Sequence, residues 1–319
     1  MAYLLVLSQD NLALARAEAE ALLGPGKLFA NYLTVGSGET RTVKRLAYAH
    51  RAYKILFDCP VSDLKKSVLA HPWDSVIKKT FCVRFIGDVK GLSEAQAASW
   101  IWDKLPSPAV DLTNPSSRID FLFHEKHAYL LLHTWENPKR YVSRVPHKRP
   151  GFSPVTSHPK FAKALVNLSG AQRGSVLVDP FCGVGGIVIE AGLSGVKAQG
   201  YDVDQQMIEK ANRNLDYFSV RGVRVELGNA FDLDKEFEYL ATDLPFGRSS
   251  RLSGANDIVT FYIKALKKIR NLFSKRAVVV MHRIPELDRV IAEAKIKPAL
   301  EIEHVMHHSL TKHIIVLEK

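Results

Sequence analysis

The segment LATDLPFGRSS, residues 240–250, combines a carboxylate, a rigid turn and an aromatic ring. A nucleobase amine is a weak nucleophile because its lone pair is delocalised into the ring. The Asp243 carboxylate and the Leu244 backbone carbonyl could accept both N–H bonds and draw that pair toward an incoming methyl carbon. Pro245 would hold the turn rigid, and Phe246 would stack on the flat base. Catalysis of this kind depends on positioning and local electrostatics, and it requires no metal.

A second segment, SVLVDPFCGVGGIVIEAG at residues 175–192, reads as a strand, a glycine-rich turn and a helix. Glycines there let the backbone approach a ligand and present N–H groups at the positive end of the helix. A phosphate-binding loop would need Gly-Lys-Ser/Thr and a dinucleotide loop would need GxGxxG, and this segment has neither. An acidic strand end followed by close glycines is typical of loops that bind S-adenosylmethionine. The residues expected to contact that donor here are Asp179, Phe181, Cys182, Gly183, Gly185 and Gly186.

Two further strand ends supply polar groups for the same ligand. In GYDVD, residues 200–204, the Asp202 carboxylate could accept both ribose hydroxyls, and Val203 follows it. In LGNAFDL, residues 227–233, Asn229 could bind an adenine edge or simply form a strand-end turn, and Ala230 follows it. Asp204 is expected to cap the next helix.

The elements that must position these residues alternate as strand and helix from about residue 160 onward. Strands are predicted at 175–179, 198–204, 223–230, 237–243, 276–282 and 313–318. This rhythm favours a parallel, doubly wound α/β sheet with its ligand chemistry at the carboxyl ends of the strands. The preceding chain reads as two α+β units, the first with a helix capped by Ser8. The second ends in a hairpin whose turn is the charged sequence HEKH, and its tryptophans are expected to anchor a core.

The charge balance favours a polyanionic partner. The 319 residues include 44 Lys and Arg against 33 Asp and Glu, a net charge of +11, and each phosphate that a protein neutralises releases counterions. A segment rich in basic residues and proline, residues 139–149, could be a strap over phosphates or a solvated linker. The residues expected to contact RNA are Arg140, Arg144, Lys148, Arg149, Arg248 and Arg251.

Other chemistries find less support in the composition. Three cysteines without a CxxC pair argue against a disulfide framework or a cysteine zinc site and fit a reducing cytoplasm. Neither a signal peptide nor a membrane span is expected. Four histidines, His304, His307, His308 and His313, fall on a predicted terminal hairpin and are expected to have no metal-binding role. Cys182 is read as a small loop residue, because no partner base is near it in sequence.

Together these motifs resemble the THUMP-containing tRNA guanine-N2 methyltransferases, and among them the archaeal-type enzymes that act on guanosine 10. DPFCGVGGIVIEAG is similar to the family's donor loop, TDLPFGRSS to its TDPPYGRSS-type catalytic motif, and VDLTNPSSRIDF to a THUMP hairpin. HKRPGFSPVTSHPKFAKALVNLSG resembles the join into the catalytic domain. The chain departs from the family pattern at four positions: Leu244 for proline, Phe246 for tyrosine, Asn229 for aspartate and Val155 for glycine.

The resemblance implies a Rossmann-like methyltransferase domain at residues 158–319. It would follow a ferredoxin-like domain at 1–62, a THUMP domain at 63–138 and a basic linker at 139–157. It further implies that Thr156 lies near the donor, that the partner is tRNA, and that guanosine 10 is flipped from its stack and methylated on N2 once or twice. A monomer is expected.

Four other functions compete with this interpretation. The target could be guanosine 6 of tRNA or a ribosomal RNA guanine; the compact amino-terminal unit and GRSS favour position 10. A DNA adenine-N6 methyltransferase has a similar catalytic motif but no THUMP-like hairpin. A non-catalytic tRNA-binding module would not need Asp243, the glycine loop and Asp202. An NAD dehydrogenase would need the third glycine of GxGxxG.

Overall fold

The computed structural model describes residues 2–139, 141–154, 156–246, 257–307 and 310–319. These form two units. One comprises Met1–Leu7, Pro25–Lys44 and Ala49–Asn137, and the other comprises Ser8–Gly24, Arg45–Tyr48 and Pro138–Lys319. A helix from the amino-terminal segment therefore belongs with the carboxyl-terminal unit. The predicted domain boundaries at 62, 138 and 157 stay predictions.

The described chain alternates strands and helices over most of its length. Its helices are α1 (Leu12–Leu23), α2 (Thr40–Val43), α3 (Leu64–Ala70), α4 (Glu94–Trp102), α5 (Pro159–Leu168), α6 (Gly186–Leu193), α7 (Gln205–Tyr217), α8 (Ile258–Ile269) and α9 (Leu287–Glu293). Its strands are β1 (Ala2–Leu7), β2 (Gly26–Phe29), β3 (Tyr32–Ser37), β4 (Ala49–Pro60), β5 (Phe81–Ile86), β6 (Ser117–His124), β7 (His127–Glu136), β8 (Val176–Asp179), β9 (Lys197–Asp202), β10 (Val223–Leu227), β11 (Phe237–Asp243), β12 (Phe273–His282), β13 (Leu300–His307) and β14 (Leu310–Glu318).

In the first unit, the described strands form one sheet in the order β2-β3-β1-β4-β7-β6-β5. The predicted hairpin is confirmed, because β6 and β7 pair antiparallel and only Glu125 and Lys126 separate them. The tryptophan prediction is confirmed for Trp73, whose side chain is 1% exposed in the core. It is wrong for Trp102, which lies at the end of α4 and is 45% exposed.

In the second unit, the described strands form a sheet in the order β10-β9-β8-β11-β12-β14-β13. The strands from β10 to β12 run parallel, and β14 and β13 add an antiparallel edge. The strand order reverses between β8 and β11, which is the switch point where α/β sheets open a crevice for ligands. The doubly wound α/β prediction is confirmed, and so is the terminal hairpin.

Helix α1 is tied into the second unit by a buried carboxylate. The side chain of Glu18 accepts hydrogen bonds from the backbone N–H groups of Ala47 and Tyr48, at 2.7 and 2.8 Å, and from the side-chain amide of Asn167 on α5 at 2.7 Å. Three donors offset much of the cost of burying this acid. The predicted cap is wrong, because Asn11 rather than Ser8 caps α1 through Leu14. Ser8 instead continues from β1, and its N–H donates to Tyr48.

Candidate active site

A cavity of about 790 Å³ lies at the carboxyl ends of the parallel strands of the second unit. Its walls come from the ends of β8, β9 and β11, from the turn after β10, and from the segment before α5. The predicted donor and catalytic residues that line it are Thr156, Asp179, Phe181, Cys182, Gly183, Gly186, Asp202, Val203, Asn229, Ala230, Asp243, Leu244, Pro245 and Phe246. The sheet therefore brings together, in one cavity, residues that the sequence separates by up to 90 positions. The predicted Gly185 lies within the loop but outside this lining.

The glycine loop is shaped by two left-handed backbone positions. Gly183 has φ of 52° and Gly185 has φ of 85°, a region that side chains with a Cβ disfavour. Gly185 is the residue before α6. At the first residue of that helix, Gly186, an added Cβ would lie 3.3 Å from the Cγ2 atom of Thr156. The loop can thus turn tightly from strand to helix with its backbone against Thr156.

Asp202 is held by the backbone of the same loop. Its Oδ2 atom accepts from the N–H of Gly183 at 2.9 Å, and its Oδ1 atom accepts from the N–H of Asp204 at 3.0 Å. Each carboxylate oxygen has a second lone pair, so both oxygens can still accept from a pair of hydroxyls. Burial raises the pKa of this carboxyl, while the two backbone donors lower it. Asp204 caps α7, as predicted from the sequence.

Asp179 is a buried acid at the base of the cavity. Its Oδ1 atom accepts from the hydroxyl of Thr242 at 2.7 Å and from the N–H of Phe181 at 3.2 Å. Burial is the main cause that raises the pKa of Asp179 to about 7; the nearby carboxylates of Asp243 and Asp202 act in the same direction, and the hydrogen bonds from Thr242 and Phe181 oppose them. A cation bound nearby would favour its ionised form. Thr242 is a site residue that the sequence reading missed.

Cys182 fills a narrow space behind the loop. An added Cβ on Gly200 of β9 would lie 2.9 Å from both Cβ and Sγ of Cys182. Burial raises the pKa of the thiol well above its ordinary value, which suppresses the reactive thiolate. Both observations support the interpretation of Cys182 as a small packing residue.

Asn229 occupies the strand-end position that was expected of it. Its Oδ1 atom accepts from the N–H of Phe231 at 3.1 Å, which closes the turn after β10. The residue also lines the cavity. Phe181 and Phe231 both pack edge-to-face against Phe261, with ring centroids 5.8 and 6.1 Å away, and form an apolar cluster beside it.

Asp243 ends β11 and is held by two side chains that the sequence reading missed. Its Oδ2 atom accepts from the hydroxyl of Ser157 at 2.6 Å and from the ammonium of Lys312. The next residue, Leu244, is buried in the core between the sheet and α8. Phe246 is half-buried, with its ring centroid 6.1 Å from that of His282. The leucine that departs from the family pattern is thus accommodated by core packing.

The predicted RNA-binding residues are in different environments. Arg144 donates two hydrogen bonds to the carboxylate of Glu190 at 2.8 and 3.0 Å. Arg149 is 4% exposed and donates to the carbonyl of Arg144, whereas Lys148 is exposed. Arg140, Arg248 and Arg251 lie outside the described residues. Contact between these residues and RNA stays a prediction. Of the three that the structure describes, Lys148 is the exposed one.

Two of the four carboxyl-terminal histidines, His304 and His313, contact protein groups. His313 bonds Glu301 at 2.8 Å, and His304 stacks on Phe161 with ring centroids 4.7 Å apart. His308 lies outside the described residues. Within the described ranges, no cluster of His, Cys, Asp and Glu could hold a metal ion. In the same part of the chain, no helix is long and apolar enough to cross a bilayer.

Comparison with known proteins places this site in a family. Residues 146–313 match the family model described as "UPF0020: RMKL-like, methyltransferase domain". A tRNA (guanine(10)-N2)-dimethyltransferase of Methanothermobacter thermautotrophicus is 29% identical over 100% of both chains. A protein of the same name from Pyrococcus abyssi is 30% identical over 96% of both chains.

Among solved structures, that of TrmN from Thermus thermophilus aligns over 100% of both chains, with a TM-score of 0.49 and 18% identity. The family model spans more than half of the chain, and the relatives span nearly all of it. The family predicted from the sequence is confirmed: this chain belongs to the tRNA guanine-N2 methyltransferases of the UPF0020, RMKL-like group.

Proposed function

We propose that this chain methylates the exocyclic N2 amine of guanosine 10 in tRNA, forming N2-methylguanosine and then N2,N2-dimethylguanosine. S-adenosylmethionine is the methyl donor. The observation that carries the proposal is that Asp243, at the end of β11, lines the same cavity as the glycine loop and Asp202. The full-length relatives named tRNA (guanine(10)-N2)-dimethyltransferase support the choice of substrate and position.

The cavity suits the proposed donor in shape and charge. The Asp202 carboxylate lines the cavity, and backbone N–H groups orient both of its oxygens. Each oxygen can then accept from one hydroxyl of a ribose diol. The buried Asp179 favours a cationic ligand, and S-adenosylmethionine carries an ammonium and a sulfonium. Asn229 and the nearby phenylalanines offer polar and apolar contacts for a purine. When bound, this donor supplies an electrophilic methyl group.

The residues after β11 would prepare the guanine amine. Asp243 accepts one N–H hydrogen bond and the Leu244 carbonyl accepts the other, which localises the lone pair on nitrogen. Pro245 restricts the turn, and Phe246 stacks on the base. The amine proton that is lost on methylation passes to the Asp243 carboxylate and then to water. The main contribution of the protein is a preorganised set of acceptors in a cavity of low polarity.

We propose that residues outside this cavity bind the body of the tRNA. The net charge of +11 supports binding to a polyanion, and Lys148, whose side chain is exposed, is proposed as one contact. By resemblance, the THUMP region at 63–138 and the residues before it would hold the acceptor end of the tRNA. We propose a monomeric, cytoplasmic enzyme; the three described cysteines are buried and unpaired, which supports a reducing compartment.

Nucleoside mass spectrometry tests this proposal. The protein is incubated with donor and a tRNA transcript, and a second transcript carries adenosine in place of guanosine 10. We expect N2-methylated guanosine from the first transcript and none from the second. Methylation of both would move the target to another position. No product together with no donor binding by titration calorimetry would indicate a non-catalytic tRNA-binding module.

A further inference from the structure

We propose that Lys312 and Ser157 are positioning residues that set the orientation of the Asp243 carboxylate for the base amine. This inference rests on the proposed function of Asp243 as the acceptor. It assigns a role to two residues that lie 69 and 86 positions away from Asp243 in the chain.

Three polar groups close a triangle at the end of β11. The Ser157 hydroxyl donates to Oδ2 of Asp243 at 2.6 Å, and the Lys312 ammonium donates to the same oxygen. Lys312 Nζ also lies 2.9 Å from Ser157 Oγ, which accepts from it. Both donors to the carboxylate therefore approach Oδ2, and neither of them bonds Oδ1.

Two donors on one oxygen restrict rotation of the carboxylate about its Cβ–Cγ bond. A substrate amine can then meet an oxygen, Oδ1, whose direction is set before the base arrives. Preorganised acceptors of this kind cost no reorganisation during the reaction. Lys312 and Ser157 thus form a clamp on Oδ2 that fixes the direction of the proposed acceptor, Oδ1.

The burial of this ion pair supports a role beyond surface charge. The Lys312 side chain is 5% exposed, and that of Asp243 is 18% exposed. Desolvation opposes the burial of two charges, so such a pair adds little net stability, and the geometry that it imposes on Asp243 is the better explanation for its presence. The Lys312 ammonium also lies 5.3 Å from the centroid of the Phe161 ring, a cation–π contact that limits where it can move.

Strand pairing brings Lys312 close to Asp243. β12 pairs with β11 on one side, with Val280 opposite Asp243, and with β14 on the other, with His282 opposite Lys312. The lysine thus reaches the carboxylate across an intervening strand rather than from a loop. Groups mounted on strands are held more accurately than groups on loops.

Single-turnover kinetics at saturating donor and tRNA test the clamp, with calorimetry for donor affinity and a binding assay for tRNA. We expect Lys312→Met to slow methyl transfer about 10²-fold, the cost of misplacing a reacting group by about 1 Å. Donor and tRNA affinities should stay within about twofold of wild type, because neither ligand is held by this lysine. Lys312→Arg should recover part of the rate, since it restores a cation beside Oδ2.

Ser157→Ala should slow the reaction less than Lys312→Met. The double variant should lose less than the product of the two single losses, because both residues act through one oxygen. Lys160→Met is the matched control. Lys160 is a partly buried lysine of the same unit whose carboxylate partner is Asp10, at 2.6 Å, rather than Asp243, and its loss should leave the rate unchanged.

The outcomes separate this inference from the proposed function. Suppose that wild type methylates N2 and that Asp243→Ala does not. A wild-type rate for Lys312→Met would then refute the clamp and leave the proposed function intact. If wild type forms no N2-methylguanosine, the proposed function fails first. If Lys312→Met does not fold, Ser157→Ala decides: a slower rate with unchanged affinities supports the clamp, and a wild-type rate overturns it.

Discussion

Asp202 and Gly183 are joined by a hydrogen bond of 2.9 Å from the backbone of the glycine loop to the carboxylate at the end of β9. The contact links two neighbouring strand ends of the sheet and fixes the direction of the carboxylate. It means that the loop and the proposed ribose acceptor form one preorganised surface. The donor pocket can therefore be tested by changing either side of this contact.

Replacing Asp202 by alanine should weaken binding of S-adenosylmethionine. Two hydrogen bonds to a charged acceptor would be lost, together about 3 kcal/mol, or about 10²-fold in affinity. Titration calorimetry measures this directly, and Asp202→Asn should give an intermediate affinity because one acceptor oxygen remains. A dissociation constant for Asp202→Ala within twofold of wild type would remove Asp202 from the donor site.

Donor affinity should depend on pH through Asp179. Burial raises the pKa of Asp179 to about 7, and a cationic donor favours the ionised carboxylate, so binding releases a proton. Affinity should therefore rise as the pH increases toward about 7 and level off above it. Calorimetry between about pH 5.5 and about pH 7.5 tests this. Asp179→Asn should flatten the profile, and an unchanged slope in that variant would assign the proton to another group.

Phe246→Ala should lower kcat/KM for tRNA and leave donor affinity unchanged. Stacking of a base on an aromatic ring is worth about 1–3 kcal/mol, which corresponds to about 5- to about 150-fold in kcat/KM. Phe246→Tyr keeps the ring and should stay near the wild-type value. If the alanine variant is as active as wild type, Phe246 does not stack on the target base.

Gly200→Ala should destabilise the donor loop. The added methyl would lie 2.9 Å from the side chain of Cys182 and 3.0 Å from that of Val225, and overpacking of this kind costs about 1–3 kcal/mol. We expect a lower Tm and weaker donor binding than in wild type. Gly36→Ala is the control, because no atom lies within 4 Å of its added Cβ. Equal melting temperatures for the two variants would contradict the packing described for Cys182.

Much of the candidate site could be predicted from local sequence. β11 has the bounds that its pattern predicts, because an apolar run ending in Asp243 specifies both a buried strand and its polar end. The glycine loop is equally local, since its strand, turn and helix are consecutive. The parallel direction of these strands follows from their alternation with helices, whereas their order is seen only in the structure.

Contacts between distant segments could not be predicted in this way. Ser157 and Lys312 are 155 residues apart, and only the pairing of β14 with β12 brings the lysine to Asp243. Local rules also misplaced the cap of α1, because Ser8 is engaged by Tyr48, a partner 40 residues away. The burial of Arg149 is a third case, since a basic segment rich in proline is typical of a solvated linker.

In the proposed reaction, the Asp243 carboxylate accepts a hydrogen bond from the N2 amine of a tRNA guanosine. The most direct test of this role is mass spectrometry of nucleosides from tRNA incubated with donor and either wild type or Asp243→Ala, after calorimetry has shown that both bind donor. We predict N2-methylguanosine from wild type and a loss of at least about 10²-fold in the variant. N2-methylguanosine formed by Asp243→Ala at the wild-type rate would refute this role of Asp243, and its absence from wild type would refute the proposed activity.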